Sequence, residues 1–415
     1  MKILVFNKDS PKINSAYGKL GREIWINRVA KYEKYRNNIA FYATVPATMY
    51  CGEFDGVPIY SNGGEDLEKG EDFLIANYRH WNSDVYFTMM DPHVFNETVK
   101  LSAQGIINWI TMPFVDYFPM PPYIYEMLSK AMLVVPPTKW AEDLLKLKLD
   151  NVTNHVHMGI DSNIFKSDRD SKADTRKDHK RLKTLHVKED TFIITIVANN
   201  QLRKPFPEWF RAIQLFRESN PDTDIRVYIH SQQRIISQWM LDELSRFYGI
   251  DDICRWSDAY MSYTWRYTDR ELAGIYEVSD VVLVPAHEGF SMPVIEAAGC
   301  GTQSISLNFG AQKELMESIT PELLVKVGST FQMPNLLMKF LPDEDDTLNK
   351  LNYVLNCDQE KYFKKLQDYA HSNFDWDKCI MPRFYEMLGE IENELDRRCI
   401  KIPDFSGKSE INILK

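Results

Sequence analysis

Short apolar runs recur along the chain, separated by polar or amphipathic segments. KILVF at 2–6, NIAFYATV at 38–45, FLIANY at 73–78, DVYFTMM at 84–90, GIINWITM at 105–112 and MLVVPP at 132–137 come first. TFIITIVAN at 191–199, DIRVYIH at 224–230, DICRWSDAY at 252–260, VVLVPA at 281–286 and QSISL at 303–307 follow. Runs this short and this rich in branched and aromatic residues read as strands, the most apolar of them as buried parallel ones. Between them lie helical patterns: one near residues 20–34, TKWAEDLLKLKL with Thr138 as its cap, PEWFRAIQLFRES at 207–219, and DRELAGIYEVS at 269–279. Residues 360–394 form a helical tail with an amphipathic stretch, FDWDKCIMPRFYEMLGEI. Strand alternating with helix predicts an α/β protein built on parallel sheets.

The alternation breaks once. From 167 to 188 the chain is highly charged and shows no apolar periodicity. A chain of 415 residues exceeds one ordinary core, so this break marks a boundary between two α/β domains. The first spans 1–160 and the second 161–379. Two such domains facing one another place a ligand site where the carboxyl ends of their strands meet.

Composition narrows the partners. The net charge is −10, which argues against a dedicated nucleic-acid binder. Lys19, Arg22, Arg28, Lys31, Lys34 and Arg36 nevertheless cluster on one predicted helix. A solvated helix face is the simpler reading. A surface for an anionic acceptor or for membrane headgroups is the sharper one. The charged stretch at 166–188 reads as a solvated linker. The six cysteines lack metal-site spacing and read as reduced thiols, pointing to the cytoplasm. No run is long enough to span a bilayer, and MKILVFNKDS reads as a first strand rather than a secretory signal.

The densest chemistry lies in HEGFSMPVIEAAGCG at 287–301. It follows an apolar strand and leads into a helix, with Pro293 suited to the first helical position, Ser291 close enough to cap, and Glu296 in the first turn. A helix N-terminus is an anion site. Gly289 lets backbone approach a ligand. Glu288 and Glu296 would repel a bare phosphate, but a carboxylate can accept two hydrogen bonds from a vicinal diol. A nucleotide sugar carries hydroxyls on both sides of its diphosphate. Taken alone, the two acids read more simply as a loop acid and a dipole-favouring helix acid.

HEGFSMPVIEAAGCGT resembles the E-x7-E signature of retaining glycosyltransferases of the GT-B fold, the family-four group. The resemblance implies two Rossmann-like domains around a central cleft, with a C-terminal helix, from about 380 into the 380–415 tail, crossing back to the first domain. It implies transfer of a sugar from a nucleoside diphosphate sugar to an acceptor hydroxyl with retention, without a metal or other cofactor. Glu288 then contacts donor hydroxyls, Glu296 the ribose, and the amides of Phe290, Ser291 and Met292 the sugar and diphosphate. ANNQLRKPFPEWFRAI supplies Arg203 and Lys204 for the diphosphate, although Asn199 stands at or near the position of a family arginine. NSAYG, ending in Gly18, resembles the glycine loop after the first strand. Asp116, in NWITMPFVDYFPMPP, is the candidate that orients the acceptor hydroxyl or acts as its base. VHMGID resembles the run that closes the first domain, giving His157 a structural or interdomain role. His155 and His157 form an H-x-H pair with no further metal ligand nearby in sequence. DRD at 168–170, DTD at 222–224 and DWD at 375–377 lack the setting of a metal-binding D-x-D.

The acceptor stays open among saccharide, lipid and modified nucleic acid. Rival readings are a DNA-base glycosyltransferase of the same fold, a non-catalytic sugar-nucleotide-binding scaffold, and a nucleotide-sugar epimerase.

Overall fold

The computed structural model describes residues 1–45, 52–61, 73–177, 179, 185–257, 267–284 and 286–398. Cys51, Cys399, Pro285, Asp178 and residues 399–415 of the expected tail lie outside the described residues.

Two parallel sheets carry the chain. The first contains β1 (Ile3–Asp9), β2 (Ile39–Val45), β3 (Gly52–Phe54), β4 (Val57–Ser61), β5 (Val85–Thr88), β6 (Trp109–Thr111) and β7 (Leu133–Val134). Their order is β3-β4-β2-β1-β5-β6-β7, with only β3 antiparallel to its neighbour. The second contains β8 (Phe192–Val197), β9 (Ile225–His230), β10 (Cys254–Trp256), β11 (Val281–Leu283), β12 (Gln303–Leu307) and β13 (Leu324–Val325), in the order β10-β9-β8-β11-β12-β13. A separate hairpin joins β14 (Val327–Gln332) to β15 (Met338–Pro342).

Chain direction explains where a ligand belongs. In the first sheet the order reverses between β1 and β5, in the second between β8 and β11. Helices on either side of such a reversal leave a crevice beyond the strands' carboxyl ends. The loops leaving these four strands therefore face the cleft. The strands themselves are apolar on both faces, as a sheet covered by helices requires: Val5, Phe6, Ile194 and Val282 are all fully buried.

The last helix, Met381–Arg398, packs against the first half of the chain. Phe384 meets Trp25 edge-on at 5.3 Å, and Tyr385 stacks on Tyr32 at 4.5 Å. Asp377 pairs with Arg28 at 2.7 Å. Trp376 donates its backbone amide to Ile160 as the chain crosses.

Several expectations need correcting. FLIANY is not a strand; Leu74–Trp81 is a helix that buries Leu74 and Tyr78, four residues apart, and ends at Asn82 in the left-handed conformation. The helix expected near 20–34 is broken into Ala16–Leu20, a wider turn at Gly21–Ile26 and two single 3-10 turns. Its basic residues are not one solvated face. Lys19 is buried, Arg28 pairs with Glu23 and Asp377, and Lys34 pairs with Glu392. Among the described residues, the charged stretch after residue 166 is solvated at Asp168, Arg169 and Asp170 but not throughout. Its helix Lys172–Arg176 buries both named ends: Arg176 pairs with Asp280 at 2.9 Å, and Lys172 donates to Thr302 at 2.7 Å. Opposite charges and hydrogen bonds drew these side chains inward. Thr138, by contrast, caps its helix as expected, accepting from the Ala141 amide.

Candidate active site

The four cleft loops, together with the loop after β6, surround a cavity of about 420 Å³. A pocket of this size suits a ligand of several rings. The loop after β1 opens with Asp9, which accepts from the Ser15 hydroxyl; Ser15 in turn accepts from the Gly18 amide and starts the helix Ala16–Leu20. Tyr17 lines the cavity, with burial pushing its hydroxyl upward in pKa. Gly18 is buried and is not on the cavity wall. A Cβ there would stand 2.2 Å from the Ile13 carbonyl oxygen, so glycine serves the tight fold of the loop.

The loop after β8 carries Asn199, Gln201, Arg203 and Lys204 into the cavity. Asn200 pins it from behind, donating to the Gln232 and Trp239 carbonyls, and Trp239 donates to the Lys204 carbonyl at 3.1 Å. The loop after β11 brings Glu288, which contacts the Lys204 ammonium and lies 3.5 Å from Arg203. Burial and Arg203 push Lys204 well below its ordinary pKa, while the Asp116 charge works against them.

Asp116 reaches the same cluster from the first half. Its carboxylate lies 2.6 Å from Lys339 Nζ and 3.1 Å from Arg203. Burial pushes the Asp116 carboxyl up, yet Lys339 and Arg203 outweigh it and hold it at about 2. Asp91, at the end of the β5 loop, has the opposite fate: burial and the Asp116 charge push it up to about 7. Two carboxylates in one pocket are thus driven apart, one ionised throughout the neutral range and one titrating within it.

The helix after β11 is Met292–Gly299, with Ser291 at its cap position. Three local expectations shift here. Pro293 is the second helical residue, Glu296 the fifth and so beyond the first turn, and the Ser291 side chain makes no cap bond. Glu296 is 3% exposed and is held by Lys19 at 2.6 Å and by the Tyr276 hydroxyl at 3.0 Å. Lys19 also reaches Asp269 at 3.2 Å. Burial would lower the Lys19 pKa, but Glu296 and Asp269 raise it above its usual value.

Gly289 lines the cavity, but its close neighbour is protein. A Cβ there would lie 2.6 Å from the Phe114 carbonyl carbon. The two halves touch backbone to backbone at this point, which only glycine permits. His287 is buried among Trp140, Phe309 and Phe340, and burial lowers its pKa to about 3.

Asp116, Arg203, Lys204, Glu288, Gly289, Phe290, Ser291, Met292 and Glu296 therefore share one cavity wall, and Gly18 alone of the expected residues does not. Lys19, Asp91 and Lys339 were not anticipated at this site. Lys339 arrives on β15, whose hairpin also crosses the cleft through Asn335, the acceptor of a hydrogen bond from Tyr123. Nothing near Lys339 in sequence points to Asp116, 223 residues away. Asp91, just past an apolar strand that ends beside the first-strand loop, could have been found from topology.

Two parallel sheets that meet at their reversal points across a cleft, with a returning C-terminal helix, make the GT-B fold. No protein-family model matches this sequence, and neither does any curated protein. Solved structures match it in fold. A sucrose-phosphate synthase from Thermosynechococcus elongatus superposes with a TM-score of 0.70 at 15% identity, over 96% of this chain and 100% of that one. A glycosyltransferase from Rickettsia africae gives 0.62 at 14% identity, over 94% and 98%. A trehalose-6-phosphate protein from E. coli, bound with UDP-2-fluoro glucose, gives 0.61 at 12% identity, over 95% and 99%. No helix among the described residues is long and apolar enough to cross a membrane.

Proposed function

We propose that this protein transfers a sugar from a nucleoside diphosphate sugar to an acceptor hydroxyl, with retention at the anomeric carbon and without a metal. The observation that carries this reading is the convergence, in one cavity, of Arg203 and Lys204 with two carboxylates eight residues apart on the loop and helix after β11. Among the similar folds one is named a glycosyltransferase, one a sucrose-phosphate synthase, and one is bound with UDP-2-fluoro glucose.

Glu288 pairs with Lys204 and Arg203, and Asp116 with Arg203. A donor diphosphate competes for those cations and releases Glu288 towards the hydroxyls of the sugar. Arg203 and Lys204 then meet charge that grows as the sugar–phosphate bond breaks, so they favour the transition state over the ground state. Glu296 keeps lone pairs for the ribose diol beside its bonds to Lys19 and Tyr276. Asp116, an ion held at about 2, is too weak a base to take an alcohol proton and serves to orient the acceptor. The acceptor oxygen bonds to the anomeric carbon on the face the phosphate leaves. Its proton passes to the departing phosphate oxygen, which balances the step without a covalent enzyme intermediate.

Thermal unfolding with UDP, GDP, ADP and dTDP tests the donor site. A nucleotide at about 100 times its Kd adds about 2.7 kcal/mol of stability. One diphosphate should stabilise the protein and the others should not, with the effect reduced in Glu296→Gln. The matching nucleotide sugar, incubated with candidate saccharide, lipid and DNA acceptors, should then yield an α- or β-linkage identical to the donor's. No shift with any diphosphate would overturn the reading in favour of a non-catalytic role.

A further inference from the structure

His155 and His157 alternate along an extended segment, so their side chains leave it on the same side. Their rings lie 4.8 Å apart. Glu314, on the helix Gly310–Met316 of the second half, meets them there: its Oε1 is 2.7 Å from His157 Nε2. One ligand atom from each of the three lies within 4.8 Å of the others. None of the three lines the cleft cavity; Phe290, which does, has its ring 6.0 Å from that of His157.

The surroundings hold each ligand in place. Glu142 Oε2 sits 2.7 Å from His155 Nδ1, which aims the opposite nitrogen, Nε2, away from Glu142. Glu314 accepts the backbone amides of Lys139 at 2.9 Å and Trp140 at 2.7 Å, so its carboxylate is fixed at the start of the helix Lys139–Lys146. A carboxylate behind a ligating histidine is the usual support of a zinc site. The side chains are 30%, 24% and 19% exposed, open enough for an ion and a water to enter.

We propose that His155, His157 and Glu314 bind a divalent transition-metal ion, zinc above all, that clamps the two halves of the protein together behind the donor loop. Two imidazoles and one carboxylate with a free fourth position for water form a familiar tetrahedral zinc set. Tetrahedral bonds of about 2 Å set the ligand atoms roughly 3.3 Å apart, so a pair at 4.8 Å must close by roughly 1.5 Å and the His157–Glu314 pair, now at 2.7 Å, must open slightly. At His157 the metal takes the place of the proton now shared with Glu314. The site is separate from the cleft and does not depend on the transfer reaction.

The test starts from full-length protein stripped with EDTA and dialysed. Zinc titrated by calorimetry should saturate at one ion per chain, with micromolar or tighter affinity. Cobalt(II) in its place should give the strong visible absorption of a four-coordinate ion. His155→Ala and Glu314→Gln should each weaken binding by at least tenfold and remove that absorption, and Glu142→Gln should weaken it by roughly 10- to 100-fold. Circular dichroism confirms that each variant is folded. If Glu314→Gln fails to fold, His155→Ala decides alone, since its ring is the most exposed of the three. Absence of stoichiometric uptake by the wild type, or uptake unchanged in His155→Ala, would overturn the site.

Discussion

Glu288 and Glu296 stand eight residues apart in one motif and line one cavity, yet they live in different surroundings. Glu288 sits on a loop, its side chain 18% exposed, and its cationic contacts, Lys204 and Arg203, come from the adjoining loop of the same half. Glu296 sits on a helix, its side chain 5% exposed, and its cation is Lys19 from the opposite half. On the proposed function, the first carboxylate trades its partners for a ligand, and those partners lie within one half of the fold. The second is also a joint between the halves. A pair of acids that looks symmetrical in sequence therefore divides into an exchangeable group and a fixed one, and substitutions should separate them.

The largest expected effect comes from the fixed group. Lys19→Met leaves Glu296 and Asp269 facing one another without their shared cation. Removing one member of a buried pair costs about 3–5 kcal/mol. Chemical denaturation should show that loss, and Glu296→Gln in the same chain should recover part of it, because the neutral amide no longer needs a counter-charge. Equal losses in the single and double variants would mean that the ion pair does not couple the halves.

Glu288→Gln should do the reverse. The amide keeps the shape of the loop, so the unfolding temperature should stay within a few degrees of the wild type. Turnover should fall on the order of 10²-fold, the scale seen when one preorganised polar group is lost from a reacting site. Measured kcat with little change in unfolding would separate the two glutamates as argued; a large loss of stability would make Glu288 structural too.

Asp91 and Asp116 sharpen the same contrast through pH. Asp91 has a raised folded pKa of about 7, so the folded protein holds a proton that the unfolded chain has already lost above about 4. Stability contributed by that proton is complete at low pH and is lost as pH rises from about 4 to about 7. Asp116 has a depressed pKa of about 2, so its contribution is present above about 4 and is lost only as pH falls towards 2. Unfolding free energies measured between pH 5 and 8 should therefore slope downward in the wild type and flatten in Asp91→Asn. An unchanged slope would show that Asp91 is not the titrating group.

Much of the fold was legible because both faces of the parallel strands are buried, which leaves continuous apolar runs such as FIITIV and the VVL of β11. The helix cap at Thr138 was equally plain, since a cap is a contact between residues three apart. FLIANY misled because a short apolar run fits a strand and two helical turns alike, and only burial of Leu74 with Tyr78 decides. The site was legible where its groups follow strand ends, as at Glu288, Arg203 and Lys204. It was not legible where a charge is met from far along the chain. Lys19 and Glu296 are 277 residues apart, and nothing local marks that lysine as buried. His157 and Glu314 are 157 apart, which is why the histidine pair had no visible third partner.

The smallest effect concerns Asn199, where the resemblance leads one to expect an arginine. Asn199 is exposed and lines the cavity beside Arg203 and Lys204. Those two cations already face Glu288 and Asp116, so the donor's diphosphate enters a cluster that is close to balanced in charge. Asn199→Arg adds a cation with room to reach the cleft and without burying it. A partly solvated ionic contact is worth on the order of 1 kcal/mol, so the preferred nucleoside diphosphate should bind roughly fivefold more tightly, and less so as salt is raised. A gain in affinity with no gain in turnover would mean that the added charge holds the diphosphate equally in the ground and transition states, leaving Arg203 and Lys204 as the pair that distinguishes them. Unchanged affinity would place the diphosphate away from the loop after β8 and would leave Glu288 without the exchange of partners that sets it apart from Glu296.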